Sequence, residues 1–469
     1  MKKFIALLLS FATVFSLAAC GGGGGGDGGD YVATIKIGYY EAGYGTEFMD
    51  FWTEEYNKAH PDEQIYFDID PNVGAAGIGS ALENEAGMMD IYLSLATNWA
   101  GWARAGWIEP LDDLYEMENA DGVKFEDAFS SEGFAEYGQL DGHRYVVPQS
   151  GTMGNGFVYS EKMFQEHGWE VPETVDDLFE LVETINNDPV NKDNNPNNDI
   201  APFAWGGQVA AYWNTVVSMW EAQYEGPEYM ADFYQNPSPE KYATREGLKK
   251  ALTIFQDLIC SGEGTAINSI PGAMGKNHLL MQNDFVQGRA AMVSGMYGIV
   301  NETKEIIDED CNLKCFLPTI DGAKLAPNGK PYIVTAGTDF DFMFIAKASK
   351  VKDYAKKFLL WVSTRDMASA YIKYTAGGSP FKYNPDKLDG LHSLVRSAVD
   401  MAAQENFVVI STVSSHPINQ LGKIVLWPMG EPYSSMVTLN SSPAKVIADN
   451  AAWVANNWAT WERDSGMKN

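Results

Sequence analysis

The chain has 469 residues, 45% of them hydrophobic, which is more than one small core needs and suits two lobes or more. Its 33 cations against 63 anions give a formal charge of −30, which argues against nucleic acid as a partner, because phosphate binding needs clustered Lys and Arg. A charge of that size describes a solvated surface; it leaves a cationic ligand open.

Met1 is followed by Lys2 and Lys3, an apolar stretch from Phe4 to Leu17, then Ala18, Ala19 and Cys20. A basic start, a short apolar core and small residues before the cut make a secretory signal over residues 1–19. The stretch is too short to cross a bilayer comfortably. The run LAAC resembles the lipobox of bacterial lipoproteins, in which the Cys is acylated and becomes the new N-terminus. Each buried methylene contributes about 0.8 kcal/mol, so two or more acyl chains would hold Cys20 on a membrane. Ordinary cleavage and free secretion is the competing reading. Gly21 to Gly26 and the residues to 33 then form a flexible tether.

Strand and helix patterns alternate after the tether. TIKIGYY from Thr34 alternates as a strand, and Phe48, Phe51, Trp52 and Tyr56 recur at helical spacing. IYFDID is a second strand, and Gly74, Gly77 and Gly79 open a helix. MMDIYLSLA is a third strand, ending at Asn98 and Trp99. This rhythm predicts an α/β lobe with a mainly parallel sheet, whose ligands gather at the carboxyl ends of the strands. LDGHRYVVP reads as a hairpin and a strand, and Thr174 with Asp177 caps a helix. Further helices run over Arg245 to Cys260 and over VKDYAKKFLLWVST, with the strand DFMFIAKA before the latter and the loop AGGSP after it. Trp453, Trp458 and Trp461 stand at helical spacing and read as packing. No internal repeat is present.

Several stretches, taken in order, resemble the family 1 extracellular solute-binding proteins, the carbohydrate-binding subunits of bacterial ABC importers. They are GWIEPLDDL, LDGHRYVVPQSGTMGNGFVYSEKMFQEHGWEVPETVDDL, FVQGRAAMVSGMYG, KDYAKKFLLWVST and AGGSP. The resemblance implies an α/β, two-lobed periplasmic-binding-protein-like (type II) fold with a hinge and an interlobe ligand cleft. It assigns 34–147 plus 291–338 to the first lobe and 148–290 plus 339–469 to the second, with crossings near Val147, Ala291 and Asp339. It further implies a monomer that closes around a mono- or oligosaccharide and delivers it to ABC permease subunits. No cofactor, metal or catalytic residue is implied. AGWIEPLDDL, HGWEVPET and IAPFAWGG lean towards N-acetylglucosamine and its β-linked disaccharide, whereas TVDDL and VLWPMGEPY depart from the family's usual text.

A sugar offers apolar ring faces and a rim of hydroxyls, so its site needs aromatic faces and fixed polar groups. The aromatic candidates are Tyr39, Tyr40, Trp99, Trp205, Trp213 and Tyr297, each at or near a strand end or a crossing. Glu41, Asn98, Gln149, Asn155 and Ser379 are the candidates for hydroxyl pairing, and Gly378 would let backbone approach a sugar. Core packing for the aromatics, and turn or cap roles for the polar residues, are the competing readings.

Three other chemistries stay weighed against this one. A secreted glycoside hydrolase needs paired carboxylates, and the chain has many, but neither GxSxG nor HExxH occurs. A polyamine or peptide receptor would share the fold and suit the negative charge. Asp193, Asn195, Asn197 and Asp199 alternate like the start of a calcium loop, yet Asn198 and Ala204 stand where Gly and Glu are needed, so a polar turn is the reading adopted. Besides Cys20 there are Cys260, Cys311 and Cys315, an odd set. A Cys311–Cys315 bridge is possible on spacing; three buried, unreactive thiols are expected.

Overall fold

The computed structural model describes residues 31–95, 98–151, 153–295, 298–336, 341–410, 412 and 416–467. The signal segment, Cys20 and most of the tether lie outside the described residues, as does Tyr297. Among the described residues the strands follow in chain order: β1 (Ala33–Tyr39), β2 (Ile65–Asp70), β3 (Ile91–Leu95), β4 (Gln139–Leu140), β5 (His143–Arg144), β6 (Val147–Pro148), β7 (Phe157–Ser160), β8 (Ala201–Ala204), β9 (Ala290–Ser294), β10 (Leu313–Phe316), β11 (Ile333–Ala336), β12 (Asp341–Ile345) and β13 (Phe407–Ile410).

They sort into two main sheets. The first has the order β2-β1-β3-β12-β6, with β1, β2 and β3 parallel and β12 antiparallel to β3. Side chains alternate across it. Met343 and Ile345 of β12 enter a core with Ile35, Ile37, Phe48, Trp52 and Leu359, while Phe342 and Phe344 enter a second core with Trp99 and Trp102. A strand buried on both faces must be apolar throughout, and β12 is, apart from its first residue. The helix Glu47–Ala59 covers one face by burying Phe48, Met49, Trp52 and Tyr56; of the stripe that the helical spacing predicts, Phe51 is only half-buried and Met49 takes part in its stead. Glu47 and Asp50 at its first turn and Lys58 at its last complement the helix dipole.

The second sheet has the order β10-β7-β9-β8. Its core collects Phe157, Phe203, Trp205, Trp213, Trp220 and Phe255. The capping box read at Thr174 and Asp177 is present, each group bonding the other's backbone. Beyond this sheet a small parallel pair, β11 with β13, packs among helices that include Pro443–Asp464, which carries Trp453, Trp458 and the buried Trp461.

Strand pairing corrects the allocation of segments to lobes. β9 and β10, expected in the first lobe within 291–338, pair in the second sheet. β12, expected in the second lobe, pairs in the first, and Phe358, Leu359 and Tyr371 join its core. The reason lies in β9. All five of its residues are buried between β7 and β8, so it is a central strand, and a crossing at Ala291 would cut it in half. β11 packs with the second lobe and β12 belongs to the first sheet, so the expected crossing near Asp339, which lies outside the described residues, separates the lobes in the sense opposite to the one expected.

Cys260, Cys311 and Cys315 are free thiols. Burial pushes the Cys260 thiol up to about 12 and the Cys315 thiol up to about 11, which leaves both protonated and unreactive near neutral pH. The run from Asp193 is a self-satisfied turn. Asp193 accepts from the backbone N–H of Asn195 and from the Asn198 amide.

One buried charge pair ties the second lobe's helices together. Arg245 and Glu221 are 2% and 0% exposed and meet in a fork, Nε and Nη2 each donating to a carboxylate oxygen at 2.6 Å. The guanidinium also lies 4.5 Å from the centre of the Phe233 ring. Removing one partner of such a pair strands the other charge, at about 3–5 kcal/mol. Arg245→Ala is therefore expected to lower the unfolding free energy in urea by about that amount. The double change Arg245→Met with Glu221→Leu should recover most of it. Equal losses for the single and double variants would contradict this account.

Candidate ligand cleft and hinge

The carboxyl ends of β1, β2 and β3 define one edge of the first sheet, joined there by the start of β12, since Asp341 pairs with Leu95. The corresponding edge of the second sheet holds the ends of β8, β9 and β10 and the start of β7, since Phe157 pairs with both Ser294 and Phe316. The connecting segments run between these two edges. One is 149–156, between β6 and β7. A second, 337–340 between β11 and β12, lies outside the described residues. A third follows the helix Arg365–Thr375, which packs on Glu47–Ala59, and leads to the helix Ser393–Ala402, which packs on β10.

Two of these segments touch. Gly151 donates to the Gly378 carbonyl at 2.7 Å, and the two residues form an isolated antiparallel bridge. A Cβ on Gly151 would lie 2.0 Å from the Ser379 carbonyl oxygen, and one on Gly378 would lie 2.6 Å from that of Gly151. Only glycine fits at either position. Gly378 and Ser379 thus act on the hinge; the Ser379 hydroxyl accepts from the backbone of Phe381 within its own turn.

The expected site residues separate into three groups. Tyr40, Glu41 and Asn98 stand on the first edge: Tyr40 is 45% exposed and bridged to Asn72, and Asn98 begins the helix Trp99–Arg104. Asn155 stands on the second edge, its carbonyl accepting from the N–H of Gly156 at 2.8 Å. Gln149, 4% exposed, lies on the first connection, where its N–H donates to the Asp341 carbonyl.

The aromatics are where expectation and structure part. Tyr39 packs edge-on against Phe48, and Trp99 lies beside Tyr137 in the first lobe. Trp205 and Trp213 are wholly buried, Trp213 among Phe157, Phe203, Trp220 and Phe255. These four are core residues here, with no free face for a sugar ring. The physical reason is local: the chain turns inward after β8, folding Trp205 and Trp213 over the sheet.

A polar node that sequence reasoning missed sits at the same hinge. Asp341, the first residue of β12, is 8% exposed. Its Oδ2 accepts from the Tyr44 hydroxyl and, at 3.2 Å, from the Ser150 hydroxyl, while Oδ1 has no hydrogen-bond partner. The Tyr371 hydroxyphenyl ring, stacked on Trp52 at 5.4 Å, completes the surroundings. Burial pushes the Asp341 carboxyl up, and the two hydroxyls offset only part of that. Burial and the Asp341 charge likewise raise Tyr44. The available signal was an acidic residue heading an otherwise apolar strand in DFMFI.

Two sheets whose working edges meet at paired connecting segments define a two-lobed binding protein of the periplasmic-binding-protein-like fold. The chain belongs to the bacterial extracellular solute-binding protein family, which matches residues 40–368. It is a solute-binding protein and not an enzyme. Solved structures agree in fold. One comes from work on xylan utilization by the thermophilic bacterium Caldanaerobius polysaccharolyticus, with a TM-score of 0.63 and 17% identity over 90% of this chain and 100% of that one. The GacH receptor of Streptomyces glaucescens, studied unliganded and with acarbose, gives 0.61 and 16% over 90% and 98%. A chitin oligosaccharide binding protein gives 0.54 and 15% over 87% and 95%. No curated protein sequence matches the chain. No helix among the described residues is long and apolar enough to cross a membrane.

The raised Asp341 carboxyl sets a pH dependence. A carboxyl whose folded pKa lies above its unfolded value of about 3.9 costs stability as pH rises through that interval. Asp341→Asn keeps an acceptor for Tyr44 and Ser150 but removes the charge. The variant is expected to gain stability relative to the native chain as pH is raised from about 4 towards neutral. Urea midpoints across that range read the effect, and parallel curves would rule it out.

Proposed function

We propose that this chain is the carbohydrate-binding subunit of an ATP-driven importer, held at the outer face of a membrane by acylated Cys20 and closing as a monomer around an oligosaccharide. The observation that carries this reading is the convergence of two strand edges on a glycine-paired hinge, with the exposed Tyr40 ring on one edge and amide side chains, Asn98 and Asn155, on both. An aromatic face and fixed amides match the two surfaces of a sugar. Tyr297, which follows β9, is the counterpart aromatic in this reading. The fold relatives named above are associated with xylan, acarbose and chitin oligosaccharides. That spread supports a glycan of several sugar units, and the N-acetylglucosamine type rests on the sequence words alone.

Thermal shift and calorimetry with chitin oligosaccharides, xylo-oligosaccharides and acarbose test the reading. At a hundred times the dissociation constant, a true ligand adds about 2.7 kcal/mol to stability. Tyr40→Ala is expected to weaken the glycan that binds by about 1 kcal/mol, roughly fivefold in Kd. No shift with any glycan, alongside a clear shift with spermidine or a peptide, would transfer the function to a cationic or peptidic ligand.

The anchor has its own test. Labelled palmitate should enter the native chain and not Cys20→Ser, and the variant should appear in the medium rather than the membrane fraction. Retention of Cys20→Ser on membranes would remove the anchor from the proposal.

A further inference from the structure

The turn after β1 and the segment after β9 meet across the two lobes. A Cβ added to Gly43 would lie 2.8 Å from the Gly298 Cα, so the two backbones are in direct contact. Three residues further on, the Asn301 amide donates to the Gly43 carbonyl at 2.9 Å and to the Tyr374 carbonyl at 3.2 Å. An amide NH2 has two hydrogens, and both are used on the other lobe. Asn301 belongs to the short helix Ile299–Glu302, whose Ile299 is anchored in the second lobe's core. Gly43 and Tyr374 belong to the first. Lys304 and Glu47 pair across the same seam at 3.5 Å, but both are half exposed and add little.

The receiving side is held firmly. Tyr44, next to Gly43, donates its hydroxyl to the buried Asp341, and Tyr374 packs on Phe51. A side chain from one lobe therefore grips two fixed backbone carbonyls of the other.

We infer that Asn301 is an interlobe clasp, with Gly43 and Gly298 as its contact plate, that holds the two lobes in the arrangement described here. Part of the affinity for ligand is then set between the lobes rather than by contacts with ligand, because a lobe arrangement that the protein holds by itself need not be held by ligand. The clasp rests on the two-lobed closure proposed above.

Small-angle X-ray scattering of the mature chain without added glycan tests it. Asn301→Ala and Gly43→Ala are each expected to have a larger radius of gyration than the native chain, with unchanged circular dichroism. Asn301 loses the donor; Gly43, whose backbone is not left-handed, gains a steric wedge. Asn301→Asp should open the lobes as well, since a carboxylate would face two carbonyl oxygens. Chitin or xylo-oligosaccharides bound by the native chain should bind the variants about tenfold more weakly. Equal radii for the native chain and the folded variants overturn the clasp, and Gly43→Ala decides if Asn301→Ala does not fold. Glycans that fail on the native chain while the radii still differ would overturn the sugar reading and leave the clasp standing.

Discussion

The fold depends on one close backbone contact. Where Gly151 meets Gly378, two connecting segments run side by side with no room for a single added carbon. Each lobe packs around its own sheet, and this passage is one of the contacts that set how their working edges meet. The constraint then spreads. Gln149 and Ser150, just before Gly151, bind the backbone and side chain of Asp341 and so fix where β12 begins. β12 in turn separates the two cores of the first lobe.

Two of the buried acids, Glu221 and Asp341, show how differently a charge can be accommodated. Glu221 is matched by a fork of hydrogen bonds from Arg245, which supplies both the opposite charge and the geometry that a buried carboxylate needs. Asp341 has hydroxyl donors on one oxygen and none on the other. The first arrangement is deep in a bundle of helices and braces it. The second lies at the passage between lobes, where a carboxyl of raised pKa keeps the local structure sensitive to its protonation. The difference follows from position. The side chains around Asp341 are hydroxyls and rings, and no cation among them answers its charge as Arg245 answers Glu221.

Much of this architecture was legible in the chain. Alternation in TIKIGYY and IYFDID, and the helical spacing of Phe48, Trp52 and Tyr56, have direct counterparts in β1, β2 and the helix between them. The lobe allocation was not legible, because FVQGRAAMVSG reads equally as a crossing or as a central strand until its partners β7 and β8 are known. Strand-end position also failed to distinguish aromatics left exposed from those that pack. Tyr39 and Tyr40 are adjacent at one strand end; alternation sends the first into the core and leaves the second 45% exposed. Trp205 and Trp213 carry no such parity, since the turns after β8 decide their direction.

Parity also accounts for what the site gained. Asp341 is on the same face of β12 as Met343 and Ile345, two and four residues on, so it points towards the helical layer that supplies Tyr44 and Tyr371. The turn bearing Tyr44 also bears Gly43, the residue that the second lobe's Asn301 grips. Strand register, the buried acid and the seam between lobes are therefore linked through a turn of a few residues. A change at any of the three would be transmitted to the others by displacement of that turn, because its backbone is held on one side by a hydroxyl–carboxylate bond and on the other by an amide. Interfaces built this way hold one of two arrangements rather than deforming gradually, as close-packed contacts do in general.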